Sequence, residues 1–294
     1  MAEIEFAPLT PALHRLGEGP CWDEREGRLL YCDILDGRIH SVATDGSDAR
    51  SWQLPDIVCS LGIAESGRLV VALRDRVVLF DRETGAIETL GSIEADIEAT
   101  RLNDGKVGPD GAFWVGTMDD SPAKAKVGAL YRVTADGKVE KKVEGLGVSN
   151  GLAFSADGRT MFHTDTRGPW IDRWAFDPAT GAISDRTRVA TPDDAAGRPD
   201  GGAADAEGCY WSAGVSAACL TRYTADGALV ARYAVPAAAP TMPCFGGPDL
   251  MTLFVTSLRN GRSEEQLARY PLTGAVFVAR SPVAGVPVSR FRDR

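Results

Sequence analysis

The stretch VSNGLAFSADGRTMFHTD, residues Val148–Asp165, contains the motif from which the fold can be predicted. It consists of a loop that carries one amide, a short apolar strand, an Asp-Gly turn and a second strand that ends in an acid. Two short β-type runs joined by an Asp-Gly turn are typical of a β-hairpin. Versions of this phrase recur along the chain, so the sequence predicts a repeat protein.

Tight turns of the form acid-Gly or Thr-Gly recur about every 46 residues. Their glycines are Gly46, Gly85, Gly137, Gly181, Gly227 and Gly274. A second series of turns is interleaved with the first, and each of its turns is followed by a short apolar run. Each unit therefore holds two linked hairpins, or about four strands. Six such units predict an all-β fold, a six-bladed β-propeller of four-stranded blades.

We expect residues 1–294 to form a single domain, because no linker rich in Pro, Gly or Ser divides the six units. The ring of a propeller has to be closed, and the strand-like piece Ala12–Leu16 is predicted to complete the last blade beside Val276–Val278. From about residue 280 the chain contains Pro282 and Pro287 and is expected to be irregular. No window shows a convincing helical period.

Composition excludes several classes of function. The formal net charge of -9 argues against nucleic acid as a partner, since binding phosphates requires clustered Lys and Arg. No apolar run approaches the roughly 18 residues that cross a bilayer, and the start Met1–Phe6 lacks the basic and apolar regions of a signal peptide. The six cysteines show no C-x-x-C spacing and are expected to be buried, reduced thiols. We expect a cytoplasmic protein that is a monomer or a weak homo-oligomer.

Glu18, Asn150 and Asp200 occupy the same place in the first, fourth and fifth units, just ahead of the innermost strand. Because innermost strands begin at one end of the central channel, these side chains are expected to meet there. Two carboxylates and an amide oxygen suit a divalent cation, and three protein ligands leave a position open for catalysis. Taken singly, each residue is more often a turn or strand-cap residue than a ligand, and the case for a site rests on the three together.

Six phrases in this order resemble the SMP-30/gluconolactonase/regucalcin family, from about Leu16 to about Val278. They are LGEGPCW at 16–22, RLNDGK at 101–106, GTM at 116–118, SNGLAFS at 149–155, PDG at 199–201 and CFGGPD at 244–249. The resemblance implies a six-bladed propeller that hydrolyses a sugar lactone, with one divalent cation in the channel. It also implies Glu18, Asn150 and Asp200 as metal ligands, Asp200 as the catalytic base, and Arg101 and Asn103 as substrate-binding residues.

One departure from the family concerns the residues after Gly-Thr-Met. Some members place a substrate-binding glutamate there, whereas this chain has Asp119-Asp120-Ser121. Asp119 and Asp120 are therefore candidate substrate-binding residues, and the preferred aldonolactone is left open among glucono-, xylono- and arabinono-lactones. The oxygen ligands leave the metal open among Ca²⁺, Mg²⁺, Mn²⁺, Zn²⁺ and Fe²⁺.

A lactonase is a carboxylic ester hydrolase, and the sequence can be tested for the motifs of other hydrolases. The chain has no G-x-S-x-G motif and no H-E-x-x-H motif, which argues against a serine hydrolase and a zinc protease. His163 is expected to be a packed histidine rather than a ligand. A non-catalytic propeller that binds calcium or a protein partner is the main alternative. An esterase or phosphotriesterase with the same cation is a third, although Arg101 and Asn103 suit a polyol better.

Overall fold

The computed structural model describes residues 4–294. The segment Met1–Phe6, on which the expectation of no signal peptide rests, therefore lies partly outside the described residues. The described chain consists of strands and one short helix, and that helix is neither long nor apolar enough to cross a membrane.

Twenty-four strands form six antiparallel sheets of four strands each. Strand β1 (Ala7–Pro8) opens the described chain. The first three blades consist of β2 (Gly17–Asp23), β3 (Arg28–Asp33), β4 (Arg38–Ala43) and β5 (Arg50–Gln53); β6 (Ser60–Ile63), β7 (Leu69–Ala72), β8 (Arg76–Phe80) and β9 (Ile87–Ser92); and β10 (Thr100–Val107), β11 (Phe113–Asp119), β12 (Gly128–Val133) and β13 (Val139–Leu146).

The remaining three blades follow in chain order. They consist of β14 (Ser149–Phe154), β15 (Thr160–Asp165), β16 (Trp170–Asp177) and β17 (Ala182–Ala190); β18 (Pro199–Ala204), β19 (Tyr210–Gly214), β20 (Cys219–Tyr223) and β21 (Leu229–Ala234); and β22 (Pro240–Gly246), β23 (Thr252–Ser257) and β24 (Phe277–Arg280), joined by β1. Each innermost strand contacts the innermost strand of the next blade, and β22 contacts β2. The ring is closed, and the predicted six-bladed β-propeller is confirmed.

The ring is closed by β1, which pairs antiparallel with the edge of β24. The prediction that Ala12–Leu16 would take this place is wrong. Of that segment, Leu16 alone forms a bridge, to Leu258, as the chain crosses from the last blade to the first. The true closing strand is two residues long and contains Pro8, which an edge strand tolerates because its missing N–H faces outward. Such a strand has no pattern that could be recognised in the sequence.

The helix α1 (Glu264–Arg269) lies in the connection between β23 and β24 and was not predicted. Ser263 caps it: Ser263 Oγ accepts from the backbone N–H of Gln266, and Gln266 Oε1 accepts from the backbone N–H of Ser263, which forms a capping box. No residue of the helix is buried. A six-residue helix without a buried face gives no apolar period, so its absence from the prediction has a physical cause.

A buried triad of Asp205, Trp211 and Arg222 joins strands of the fifth blade by hydrogen bonds. The indole N–H of Trp211 donates to Asp205 Oδ2 at 2.7 Å, and Arg222 Nε donates to the same oxygen at 2.7 Å. The other oxygen of Asp205 accepts two backbone N–H groups of its turn. In the third blade the same residue types are Asp110, Trp114 and Arg132. Both tryptophans are fully buried, so the two blades repeat the same core position.

The six cysteines are all free and buried, as predicted. Burial raises the pKa of Cys244 to about 11, so this thiol stays protonated at neutral pH. None of them is positioned as a reactive thiolate by its surroundings.

The triad generates a prediction on stability. Asp205→Ala would leave a buried guanidinium and a buried indole N–H without their acceptor, so we expect the free energy of unfolding to fall by about 3–5 kcal/mol. Urea unfolding measures this. Glu207→Gln is the matched control, because Glu207 bonds the same arginine from a side chain that is 66% exposed, and it should change stability by less than about 1 kcal/mol. Equal losses in the two variants would contradict a buried anchor.

Candidate metal and substrate site

Four inner strands lose their register where the polar motifs lie. The pairing with the second strand shifts between Glu18 and Cys21, between Leu102 and Gly105, between Asn150 and Ala153, and between Pro199 and Gly202. A bulge inserts extra residues into one strand and redirects a side chain away from the regular alternation. Glycines in the left-handed region at positions 19 and 151 make two of these bulges possible. The repeated motif is therefore a repeated bulge.

Glu18, Asn150 and Asp200 are each the second residue of an innermost strand, in β2, β14 and β18. All three strands begin at the same end of the channel, so the structure brings these residues to that end. We refer to this end as the site end. The structure places all three side chains in buried positions.

A relay of hydrogen bonds joins four residues that were predicted as site residues. Arg101 Nη1 donates to Asn103 Oδ1 at 2.9 Å, and Asn103 Nδ2 donates to Asn150 Oδ1 at 2.9 Å. Asn150 Nδ2 then donates to Asp200 Oδ1 at 2.7 Å. Because a guanidinium can only donate and a carboxylate only accept, this order fixes the orientation of both amides. The relay spans three blades.

Two buried carboxyl groups have strongly perturbed acidity. Burial, followed by the negative charge of Asp104, raises the pKa of Asp200 to about 8. Burial, followed by the charges of Asp200 and Asp104, raises the pKa of Glu18 well above its usual range. The backbone N–H of Gly19 donates to Glu18 Oε2 at 3.1 Å and offsets only part of this cost. The ionised form of both carboxyl groups is thus unfavourable at this place unless a cation compensates it.

Asp104 is a third carboxylate of this group, and it was not among the predicted site residues. One of its oxygens accepts the backbone N–H of Leu152 at 3.2 Å, while Oδ1 is buried without a hydrogen-bond partner in residues 4–294. Burial raises the pKa of Asp104, and the ammonium of Lys106 opposes this. The signal in the sequence was the pair Asn103-Asp104 within one bulge, where two polar residues turn toward the channel.

These observations fit a divalent cation. The carboxylates of Glu18 and Asp200 and the amide oxygen of Asn150 are hard oxygen ligands. Beside them, the buried Asp104 Oδ1 accepts no hydrogen bond in the described residues. Asn150 Oδ1 has two lone pairs, of which Asn103 uses one. Within residues 4–294 no cluster of three or more His, Cys, Asp or Glu side chains has metal-binding geometry, and the set Glu18, Asn150 and Asp200 contains only two such residues.

Arg101 is held firmly at the edge of the site. Its Nε donates to Asp120 Oδ1 at 3.0 Å, and Asp120 Oδ2 accepts from Arg74 Nη1 at 3.1 Å. The side chain of Arg101 is only 10% exposed. Its Nη2 makes no hydrogen bond within the described chain, so donors are left for a ligand.

Asp119 and Asp120 have different surroundings. The carboxylate of Asp119 accepts the backbone N–H of Ser121 at 2.8 Å and that of Ala125 at 2.7 Å. It therefore shapes the loop between β11 and β12. Asp120 lies beside Arg101 and links it to Arg74. Of the two aspartates, Asp120 is the one in contact with the relay.

His163 is fully buried and packs rather than reacts. Its Nε2 lies 2.8 Å from Ser149 Oγ, and its Nδ1 has no hydrogen-bond partner in the described residues. Asp165 Oδ1 and Oδ2 instead accept backbone N–H groups, including those of Gly147 and Val148. Ser149 is itself fully buried. The serine, histidine and aspartate of this blade are therefore not arranged as a catalytic triad.

A cavity in the channel lies beyond the site residues, toward the opposite end. Its volume is about 310 Å³. Its walls combine the parts of the inner strands that follow the bulges with residues 286–289 of the carboxyl-terminal segment. Lys106 projects into it and donates to the carbonyl of Gly202 at 2.9 Å. The cavity is mostly apolar and holds none of the predicted ligands.

Fold and site together define a class: a closed β-propeller with buried carboxyl, amide and guanidinium groups gathered at one end of its channel. The chain belongs to the SMP-30/gluconolactonase/LRE-like family, whose model matches residues 16–259. This confirms the resemblance seen in the sequence.

Three relatives illustrate the family. The chain is 38% identical to a 6-deoxy-6-sulfogluconolactonase of Pseudomonas putida over 270 residues, 92% of each chain. It is 33% identical over 287 residues to an L-arabinolactonase of Azospirillum brasilense, which covers 96% of this chain and 94% of the relative. A solved structure of regucalcin from Agrobacterium tumefaciens, described as a calcium-binding protein, superposes with a TM-score of 0.93 at 30% identity and covers 99% of this chain and 100% of its own. The expectation of a lactonase is confirmed by these relatives.

Burial of His163 generates a prediction on pH dependence. Burial lowers the pKa of His163 to about 3, against about 6.5 in an unfolded chain. Between these values the unfolded state binds a proton that the folded state does not, so stability falls as the pH falls. We expect His163 to contribute a loss of about 2 kcal/mol between pH 7 and pH 5. Urea unfolding of the protein and of His163→Gln at both pH values measures it. An equal pH dependence in the two proteins would contradict this.

Proposed function

We propose that this protein hydrolyses a sugar lactone to the aldonic acid with the help of one divalent cation held by Glu18, Asn150 and Asp200. The observation that carries the proposal is the relay from Arg101 to Asp200, with the carboxyl group of Glu18 beside it. Polyol-binding groups and cation-binding groups are joined in this relay at one end of the channel. A sugar lactone requires both kinds of group.

The cation is supported by the electrostatics of the site. Without it, three carboxyl groups share a buried volume in which their charges repel each other. A bound divalent cation would polarise the lactone carbonyl and stabilise the oxyanion of the tetrahedral intermediate. Regucalcin relatives favour calcium, while oxygen donors also accept Mg²⁺, Mn²⁺, Zn²⁺ and Fe²⁺.

Asp200 is the proposed base. Its Oδ1 accepts from Asn150, which leaves Oδ2 for a water molecule. Asp200 takes one proton from this water as the oxygen forms a bond to the carbonyl carbon. The bond between that carbon and the ring oxygen then breaks, and the leaving oxygen takes up the proton held by Asp200 and becomes the open-chain hydroxyl. One water is consumed, and one acid and one hydroxyl are formed.

Arg101 and Asn103 are proposed to bind the substrate's hydroxyls. The free donors of Arg101 suit a vicinal pair of hydroxyl oxygens, and the ion pair with Asp120 holds its guanidinium plane in place. Asp120 thus acts mainly through Arg101. Asp119 is proposed to shape the loop above the substrate, since its oxygens accept backbone N–H groups.

The proposed substrates are aldonolactones such as glucono-, xylono- and arabinono-lactone. Relatives that act on L-arabinonolactone and on 6-deoxy-6-sulfogluconolactone support a five- or six-carbon lactone. We further propose that residues 1–294 act as one domain in the cytoplasm, as a monomer or weak homo-oligomer. The six free cysteines support a reducing compartment.

The proposal predicts activity that depends on metal and on Asp200. Acid release from a panel of aldonolactones should stop on chelation and return when a divalent cation is added. Asp200→Asn should lower kcat by about 100-fold or more, because the base is lost. Asp193→Asn, an exposed acid in the connection before the same strand, is the control and should change kcat less than twofold. Metal binding without hydrolysis of any lactone would instead support a calcium-binding propeller that is not an enzyme.

A second prediction concerns the substrate-binding role of Arg101. Arg101→Lys keeps the charge but loses the planar pair of donors, so kcat/KM should fall by about 10- to 100-fold, mostly through a higher KM. Arg76→Lys is the matched control, since Arg76 lies at the same end and pairs with Asp75 outside the relay. Steady-state kinetics on one aldonolactone gives both values. An unchanged KM in Arg101→Lys would contradict the role.

A further inference from the structure

Two arginines at the site end stand out because their Nε groups lack acceptors. Arg198 Nε and Arg262 Nε are both buried, and neither has a hydrogen-bond partner in residues 4–294. Other arginines at the site end have hydrogen-bond acceptors. Arg74 and Arg101 share Asp120, and Arg259 donates to the carbonyls of residues 271 and 273.

Arg198 lies next to the proposed metal ligand Asp200. It immediately precedes β18, in which Asp200 is the second residue. Its backbone is fixed, because its N–H donates to Ser216 Oγ at 2.8 Å. Its one ion pair in the described chain is with Asp194, at 3.5 Å, and the Asp194 side chain is 75% exposed. Such a pair is weak and leaves the guanidinium available.

Arg262 approaches from the neighbouring blade, in the connection between β23 and α1. Its side chain makes neither an ion pair nor a hydrogen bond with any residue that the structure describes. Burial, followed by the positive charge of Arg198, lowers the pKa of Arg262. The two guanidinium groups are therefore close enough to repel each other, and the one ion pair that either makes in the described chain is the contact of Arg198 with the exposed Asp194.

We propose that Arg198 and Arg262 form a subsite for an anionic group at the end of the substrate that is remote from the lactone carbonyl. This proposal rests on the proposed lactonase function and deepens it. Two guanidinium groups with free donors suit a group with several acceptor oxygens, namely a sulfonate or a phosphate. Arg198 lies two residues from Asp200, about 7 Å along an extended strand. That separation is comparable to the span of a six-carbon lactone from its carbonyl to its terminal substituent.

The subsite explains why two guanidinium groups whose Nε atoms lack acceptors persist in half-buried positions. Like charges that face each other without an acceptor destabilise the free protein. A terminal anion removes that repulsion on binding and gains charge-assisted hydrogen bonds. The substrate is oriented at the same time, because its carbonyl end is left for Asp200. A neutral aldonolactone gains none of this.

The test compares a neutral gluconolactone with the same lactone carrying a 6-sulfonate or a 6-phosphate. The cation-loaded protein should show a kcat/KM at least about 10-fold higher for one of the anionic lactones, and the better of the two identifies the anion. Arg262→Gln and Arg198→Gln should each lower the ratio of anionic to neutral kcat/KM by about 10- to 100-fold. Arg269→Gln, an exposed arginine on α1, should leave the ratio unchanged. A ratio near one, or a ratio that neither substitution lowers, would overturn the subsite while lactone hydrolysis stands.

If no lactone is hydrolysed, the proposed function fails and the subsite is judged by anion binding alone. Inorganic sulfate or phosphate should then raise the melting temperature of the protein more than that of Arg262→Gln, with Arg269→Gln behaving as the unsubstituted protein does. Equal stabilisation of Arg262→Gln and Arg269→Gln by both anions would overturn the subsite in that case as well. Either experiment gives a decision.

Discussion

Closure of the ring is the constraint on which the rest of this structure depends. Six blades meet at one axis only because β1 pairs with β24 and brings the last blade against the first. The innermost strands then begin at one end of a shared channel. Residues that lie far apart in the chain, such as Glu18 and Asp200, are thereby brought together. Bulges near the start of these strands turn polar side chains into the channel, where a regular strand would alternate.

Convergence has an electrostatic cost, and that cost indicates function. Glu18, Asp104 and Asp200 are buried close to each other, and their pKa values are raised by burial and mutual repulsion. The relay from Arg101 through two amides supplies donors on one side but does not neutralise the group. A fold that had evolved for stability alone would place apolar side chains here. In the proposed function a divalent cation would compensate this charge and polarise the lactone carbonyl.

A second group of incompletely paired charges, of positive sign, lies at the site end. Arg198 and Arg262 are half-buried cations without a strong acceptor, as the carboxylates are buried anions without a cation. A lactone with an anionic terminus would complete both groups at once, with its carbonyl end near Asp200 and its charged end between the arginines. Substrate selection and catalysis would then use separate groups that are supplied by different blades.

Three features could be predicted from the amino-acid sequence alone. They are the four-stranded repeat, the number of blades, and the polar residues near the start of the innermost strands. Periodic turns and apolar runs are local signals, and the motif at Asn150 is fixed by its neighbours along the chain. Four features became visible only in three dimensions. They are the burial of Asp104 beside Glu18 and Asp200, the helix α1, the closing strand, and the hydrogen bond between Asn103 and Asn150. Each depends on which strands lie side by side and on how a bulge turns a side chain. Burial and unpaired charge arise from residues on different blades, so no pattern along the chain contains them.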